Sequence, residues 1–411
     1  MQPHNPSSPL HSLWQAPAPA NSERLMQPGG TECGKSWRHV GRGVGLALSL
    51  AAGLAAIQPG GANAATSAPN TGGNQPSSSG GKRCTLLVLA TGGTIAGQPN
   101  GFSAVGYKAG SLSGADLVAS VPALGHLAQL RVEQIANIPS QDMNEAVWRH
   151  LAARIHQADI HHEACGIVIT HGTDTMEESA YFLHKTYGGH TPVVITGAMR
   201  PASATSADGP ANLLAAARTA LAPQADGRGV LVVMNDQIHS ARNVSKTHTT
   251  ALQTFRSLNG GVAGWVDDDQ VRFAQAPDTR TPDHDPLYDL PGHDLPRVDI
   301  IYVHAGLDAQ PVEDAVARGA QGLVLAGVGD GNAPKAVLEA LDKARAKGVL
   351  VVRSRRPAEG FTNRDVEVND SARGFVAAGR LSPVQARLLA QLIIATGPKG
   401  VGEVQRAFDA E

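Results

Sequence analysis

The sequence predicts an α/β protein of two parallel-sheet domains, a larger N-terminal one and a smaller C-terminal one. Three observations carry this. Apolar runs of strand length recur from residue 84 onward: TLLVLA (85–90), GIVIT (166–170), PVVIT (192–196) and GVLVVM (229–234), then VDIIYVH, GLVLAG and GVLVVRS. They are apolar on both faces, as parallel strands sandwiched between helices are. Between them NEAVWRHLAARIHQA, GPANLLAAARTALA and PKAVLEALDKARAKG place apolar residues at three- and four-residue spacing, the helical period. The last of these is expected to open with Pro334 in its first turn. Finally, PDTRTPDHDPLYDLPGHDLP has prolines and aspartates without periodicity and marks a connector, placed at 275–297. The 411 residues suit two domains, because a single core stops growing at roughly 250 to 300 residues.

In chain order, residues 1–64 read as a leader. Lys35, Arg38 and Arg42 precede the short apolar core GVGLALSLAAGLAA, and Ala62-Asn63-Ala64 offers a small-residue cleavage site. The apolar run is shorter than the ~20 residues that span a bilayer and no later run reaches that length, so the mature chain is expected to have no membrane segment. Residues 1–25 lie far upstream for such a signal, which makes Met26 an alternative start to Met1. A flexible Gly/Ser/Pro segment follows at 65–83, then domains at 84–274 and 298–411 on either side of the connector. The formal charge is −2, and −4 without the leader. With no long Lys/Arg run, nucleic acid is not an expected partner, and a small neutral or zwitterionic ligand is. Cys33 would leave with the leader. Cys84 and Cys165 each precede an apolar run, and two readings stand: a disulfide if those strands are neighbours, or two separate small hydrophobes, the preferred one.

Ligands of open parallel sheets collect beyond the carboxyl ends of the strands. Two such ends are alike. TLLVLA runs into Thr91-Gly92-Gly93-Thr94, and GIVIT into His171-Gly172-Thr173-Asp174. Each sets a threonine on a glycine turn, where backbone can approach a ligand closely. Thr175 and Glu178 have capping-box spacing for a helix over Met176 to Thr186 that stops at Gly188, which puts a helix N-terminus beside Thr173 and Asp174. TGGTIAG has neither the lysine of a phosphate loop nor GxGxxG spacing. Other clusters have plain readings. His156, His161, His162 and Glu163 lack a helical H-E-x-x-H arrangement and read as a solvated loop. Asp267, Asp268 and Asp269 lack an EF-hand pattern and read as a polar hairpin turn. No metal and no cofactor is implied.

ATGGTIAG, ITHGTDTMEESAYFL, TGAMRP with SADGPANLL, GVLVVMND and AGVGDGN together resemble the bacterial type II (periplasmic) L-asparaginases, in order and spacing, over about 84–411. The resemblance implies hydrolysis of L-asparagine to L-aspartate and ammonia through an acyl-enzyme, in the periplasm. It assigns Thr94 as nucleophile and Tyr107, in VGYKAG, as the tyrosine of the loop closing over it. Thr173, Asp174 and Lys246, in RNVSKT, form a second cluster in which a neutral lysine would act as base or relay. A threonine hydroxyl needs such a partner. Which threonine attacks first stays open, with Thr94 favoured. Thr173, Asp174 and Glu367, in DVEVND, Asn332, Ser140 and Gln141 are assigned to the substrate, whose ammonium calls for acids and whose carboxylate calls for neutral donors. Asn332 and Glu367 come from a neighbouring subunit in this family, which implies a homotetramer with shared sites. Gln141 resembles the form that prefers asparagine over glutamine. The chain departs from its relatives at Asn243, where Asp is frequent, and in the loop from Gly97 to Tyr107. Rival readings are a glutaminase-asparaginase, a periplasmic amino-acid binding protein, and the amidase subunit of a tRNA amidotransferase.

Overall fold

A computed structural model describes residues 83–99, 107–108, 110–277, 292, 294–397 and 399–411. The leader 1–64, nearly all of the 65–83 segment and most of the connector at 275–297 lie outside the described residues.

The N-terminal part runs β1 (Thr85–Gly92), β2 (Gln98–Pro99), β3 (Tyr107–Lys108), α1 (Gly114–Ala119), α2 (Leu124–Leu127), β4 (Gln129–Ile138), α3 (Glu145–Ile160), β5 (Gly166–Thr170), α4 (Met176–Thr186) and β6 (Val193–Thr196). It continues with α5 (Gly209–Leu221), β7 (Val230–Met234), β8 (Gln237–Ser240), β9 (Val244–Lys246), β10 (Phe255–Ser257), β11 (Gly264–Asp267) and β12 (Gln270–Phe273). The C-terminal part comprises β13 (Val298–Tyr302), α6 (Gln310–Ala317), β14 (Gly322–Gly327), α7 (Lys335–Ala346) and β15 (Leu350–Arg355), then α8 (Asp370–Arg373), β16 (Val376–Ala377), α9 (Pro383–Ala395) and α10 (Val401–Asp409). Pro334 stands one residue before α7, as its N-cap, not in its first turn.

The larger sheet has the order β12-β11-β8-β7-β6-β5-β1-β4. Five strands, β4, β1, β5, β6 and β7, are mutually parallel, whereas β8, β11 and β12 add an antiparallel edge. The sheet is therefore mixed where a purely parallel one is expected. The antiparallel strands follow from short connections: Asn235 and Asp236, both at positive φ, turn β7 straight back into β8. Asp268 and Asp269 form the polar turn between β11 and β12. The smaller sheet, β13-β14-β15-β16, is parallel throughout.

Alternate residues of β1, buried from Leu86 to Gly92, explain the layers. Leu86 and Val88 face a core with α1, α2 and α5, while Leu87 and Leu89 face a core with α3 and α4. That second core continues through α9 to Val298, Val324 and Val352, so α4 and α9 join the two sheets through one apolar cluster. Trp148 of α3 stacks on Phe182 of α4 with ring centroids 5.0 Å apart.

The preferred reading of the cysteines is corrected. Cys84 and Cys165 are bridged, with Cα atoms 5.9 Å apart. The cause is the pairing of β1 with β5, in which Leu86 faces Gly166 and the Cys165 amide donates to the Thr85 carbonyl.

Candidate active site

At the end of β1 the Thr91 hydroxyl donates to the Thr170 carbonyl at 2.9 Å, fastening the first threonine turn to the end of β5. Gly92 and Gly93 follow at φ 99° and 81°, and a Cβ on Gly93 would lie 2.4 Å from the backbone of Gly172. The two glycine turns thus sit back to back, a contact that only glycine at both positions allows. Thr94 then opens a single 3₁₀ turn, Thr94–Ala96, and is 5% exposed. The chain after Tyr107 returns to this turn. The Gly110 amide donates to the Gly93 carbonyl at 3.1 Å, and Leu112 donates to Ala96 at 2.9 Å. Tyr107 itself lies in β3, paired with Pro99.

At the end of β5, His171 is fully buried and burial pushes its pKa down to about 4. Its tautomer follows from its neighbours. The Gly172 carbonyl, 2.6 Å from Nδ1, can only accept, so Nδ1 carries the proton. Ser179 Oγ receives the Trp148 Nε1–H at 2.7 Å and gives its own proton to His171 Nε2 at 2.8 Å. This chain of bonds holds the carbonyl of Gly172 immediately before Thr173.

Ser140 supports the same loop from the other side. Its buried hydroxyl accepts from the Asp174 amide at 3.1 Å, and its carbonyl accepts from the Thr175 hydroxyl at 2.7 Å. The capping box predicted for α4 is accordingly absent: Thr175 spends its hydroxyl on Ser140, and Glu178 lies 3.5 Å from Arg387. The helix ends at Thr186 with extended Tyr187, before Gly188.

Lys246 reaches this loop from β9. Its Nζ donates to Thr173 Oγ1 at 2.9 Å and to Asp174 Oδ1 at 2.7 Å. The Lys246 side chain is 15% exposed and that of Asp174 is 59% exposed, so the pair lies at the mouth of the site. Glu177, in the first turn of α4, sets the lysine. Its carboxylate accepts from the Lys246 amide at 2.9 Å and from the Ser245 hydroxyl. Burial pushes the Glu177 pKa up, against the opposing pull of those hydrogen bonds. Sequence reading missed Glu177, although it adjoins Asp174 by three residues in the motif that carries both.

The structure thus unites the Thr94 turn, Thr173, Asp174, Lys246 and Ser140, with Gln141 exposed in the turn beside Ser140. Asn332 and Glu367 form a separate, exposed pair, with Asn332 Nδ2 donating to Glu367 Oε2 at 2.9 Å. Among the described residues neither bonds to Thr173, Asp174 or Lys246. Asn243 has its side-chain oxygen 3.5 Å from Arg380 and is remote in role from the lysine contact. The histidine-rich stretch is not all loop: His156 lies in α3, whose apolar face sets the helix, and Glu163 accepts from Arg131 and Arg154; among the described residues no group of three or more His, Cys, Asp or Glu is placed to hold a metal ion.

Two family models match the chain: the N-terminal domain of asparaginase over residues 85–279 and the glutaminase/asparaginase C-terminal domain over 297–408. The chain belongs to the asparaginase family. It is 45% identical over 324 residues to a probable periplasmic L-asparaginase of Haemophilus influenzae, covering 79% of this chain and 92% of that protein. L-asparaginase 2 of Escherichia coli is 43% identical over 325 residues, with the same two coverages. A glutaminase-asparaginase of Pseudomonas fluorescens is 36% identical over 330 residues, covering 80% of this chain and 90% of its own length. The asparaginase-family chain is an amidohydrolase, and its two family models correspond to the sheets on either side of the connector.

Proposed function

We propose that this chain hydrolyses L-asparagine to L-aspartate and ammonia with Thr94 as nucleophile and Lys246, Thr173 and Asp174 as the proton-handling cluster. One observation carries the assignment: the Lys246 amine reaches from β9 to a buried threonine hydroxyl at 2.9 Å and a carboxylate at 2.7 Å, both on a loop packed against the Thr94 turn. A base must lie within hydrogen-bond reach of the hydroxyl it serves, as Lys246 does.

In this reading the Thr94 oxygen bonds to the side-chain amide carbon of asparagine. Its proton passes to the departing nitrogen, the C–N bond breaks, and ammonia leaves an aspartyl ester. Water then adds to the ester, giving up a proton through the Thr173–Lys246 pair, and the C–O bond to Thr94 breaks as a proton returns to the Thr94 oxygen, releasing aspartate and restoring the hydroxyl. Tyr107 acts from the loop whose far end is tied to Gly93 and Ala96. Ser140 and Gln141 serve the substrate carboxylate, with Asp174 and Glu367 serving its ammonium.

The exposed Asn332–Glu367 pair is assigned to the site of a second copy. Exposed Val328, Phe361 and Val366 flank it in sequence, an apolar rim suited to burial between subunits, which supports the reading of a homotetramer with shared sites. Periplasmic location through the 1–64 leader is supported by the name of the Haemophilus relative. Among the described residues no helix is long and apolar enough to cross a membrane. Gln141 supports asparagine over glutamine as preferred substrate.

The test is ammonia release from asparagine and glutamine by the purified protein and by Thr94→Ala. The variant is expected to bind asparagine and release no ammonia above the blank. Equal rates would remove Thr94 from the mechanism, and binding without release in the wild type would favour an amino-acid binding protein.

A further inference from the structure

Arg353 is the largest fully buried side chain among the described residues, and its hydrogen bonds go to the segments that carry Asn332 and Glu367, not to those two residues. All five of its N–H donors are used. Nε and Nη2 donate to the two oxygens of Asp370 at 2.5 and 2.7 Å. Nη1 donates to the carbonyls of Asp330 and Gly331 at 2.9 and 3.1 Å, and Nη2 also to the carbonyl of Asn363 at 2.9 Å. Asp370, equally buried, receives the amide of Asp365 at 2.9 Å.

These acceptors belong to the two loops that end at the exposed pair. Asp330 and Gly331 immediately precede Asn332, while Asn363 and Asp365 lead into Glu367. Gly331, at φ 77°, lets the first loop lie on the guanidinium, since a Cβ there would come within 3.0 Å of Nη1. A second tie, at the surface, joins the same loops: the Asp330 carboxylate accepts from the Asn363 amide and side chain at 2.7 and 2.8 Å.

A buried ion pair is weak evidence for stability, because desolvation offsets the Coulombic gain. Its use here is geometric. We propose that Arg353, clamped by Asp370, is the positioning residue that fixes the separation of Asn332 and Glu367 and so the grip on the α-ammonium of the substrate. This rests on the assignment of Glu367 to the ammonium made above.

Lysine at 353 keeps the charge but has three donors and no planar fork, so it cannot hold Asp370 and both loops together. The test compares asparagine with succinamate, the same amide lacking the α-ammonium, for wild type, Arg353→Lys and Glu367→Gln. In R353K the KM for asparagine is expected to rise on the order of 10- to 100-fold, with a smaller change in kcat and little change for succinamate. Merely structural damage would lower activity on both substrates alike, and that result overturns the proposal. So does an unchanged asparagine KM in R353K when E367Q raises it. An unchanged KM in E367Q overturns the ammonium assignment itself, and the proposal with it. If R353K yields too little folded protein, Asp330→Ala cuts the surface tie and leaves the buried pair intact. The same selective rise, smaller in size, is expected there, and its absence counts against the proposal.

Discussion

Lys246 Nζ stands 2.9 Å from Thr173 Oγ1, and the two residues come from strands' ends 73 positions apart. A relay of this kind works as a unit, so its members should not contribute independently. Lys246→Met and Thr173→Val are each expected to lower kcat by roughly 10² to 10⁴, the usual range for lost proton transfer. The double variant is expected to be little worse than either single one. Steady-state ammonia release measures this, and multiplicative losses in the double variant would mean that the two side chains act separately.

Much of this site is legible in the sequence, for identifiable reasons. Thr94 and Thr173 stand where continuous apolar runs meet glycines, a local signal that strand ends produce. Lys246 has no such signal, and resemblance alone drew attention to it. Strand β4 carries no readable apolar run because it is an edge strand whose residues are all exposed or only partly buried, with Arg131, Glu133 and Gln134 interrupting its apolar positions. Glu177 was passed over because an acid in a helix's first turn has a ready local explanation, whereas its partner lies 69 residues away. Arg353 reads in VVRSRR as a charge at a strand's end, and only the fold brings Asp370 against it. The cysteine pairing needed the β1–β5 register, which no periodicity encodes.

Glu177 gives a test of how Lys246 is held. Both of its donors, the Lys246 amide and the Ser245 hydroxyl, go to the same oxygen, Oε2. An amide oxygen can receive them equally, so Glu177→Gln is expected to retain most activity. Glu177→Leu leaves a buried N–H without an acceptor, at about 1 to 3 kcal/mol, and releases β9. It is expected to reduce kcat at least tenfold, a size consistent with ~1.4 kcal/mol in a barrier. Kinetics alongside thermal unfolding decide the matter; equal activity in Gln and Leu variants would show that Glu177 does not set the lysine.

The Cys84–Cys165 bridge spans a sequence separation of 81. Closing a loop of that size restricts the unfolded chain by roughly 4 to 5 kcal/mol in the chain-entropy model, with measured effects commonly about 2 to 4. Paired Cys84→Ser and Cys165→Ser substitutions are therefore expected to lower Tm by several degrees and to leave kcat nearly unchanged, because the bridge lies at the strand starts, opposite the threonine turns. Calorimetry of the variant against the oxidised protein measures the shift. An unchanged Tm would mean that the bridge adds nothing to the ladder between β1 and β5.

Acid should destabilise the protein through two neutral histidines. His171 and His239 are both fully buried, and burial pushes each pKa down to about 4 from an ordinary 6.5. Between these values the unfolded chain takes up protons that the folded chain refuses. Stability therefore rises with pH across that window: the contribution is complete above about 6.5 and is lost as pH falls toward about 4. The separation is worth roughly 3 kcal/mol for each group. His239 makes the cleaner test, because it lies away from the threonine loop and its Nδ1 is 2.8 Å from Ser257 Oγ. Asparagine places a polar atom near Nδ1 and cannot take up the proton. His239→Asn is expected to flatten the fall in urea midpoint between pH 7 and pH 4.5, while lowering the midpoint at neutral pH through lost packing. A slope identical to wild type would assign the acid sensitivity to other groups.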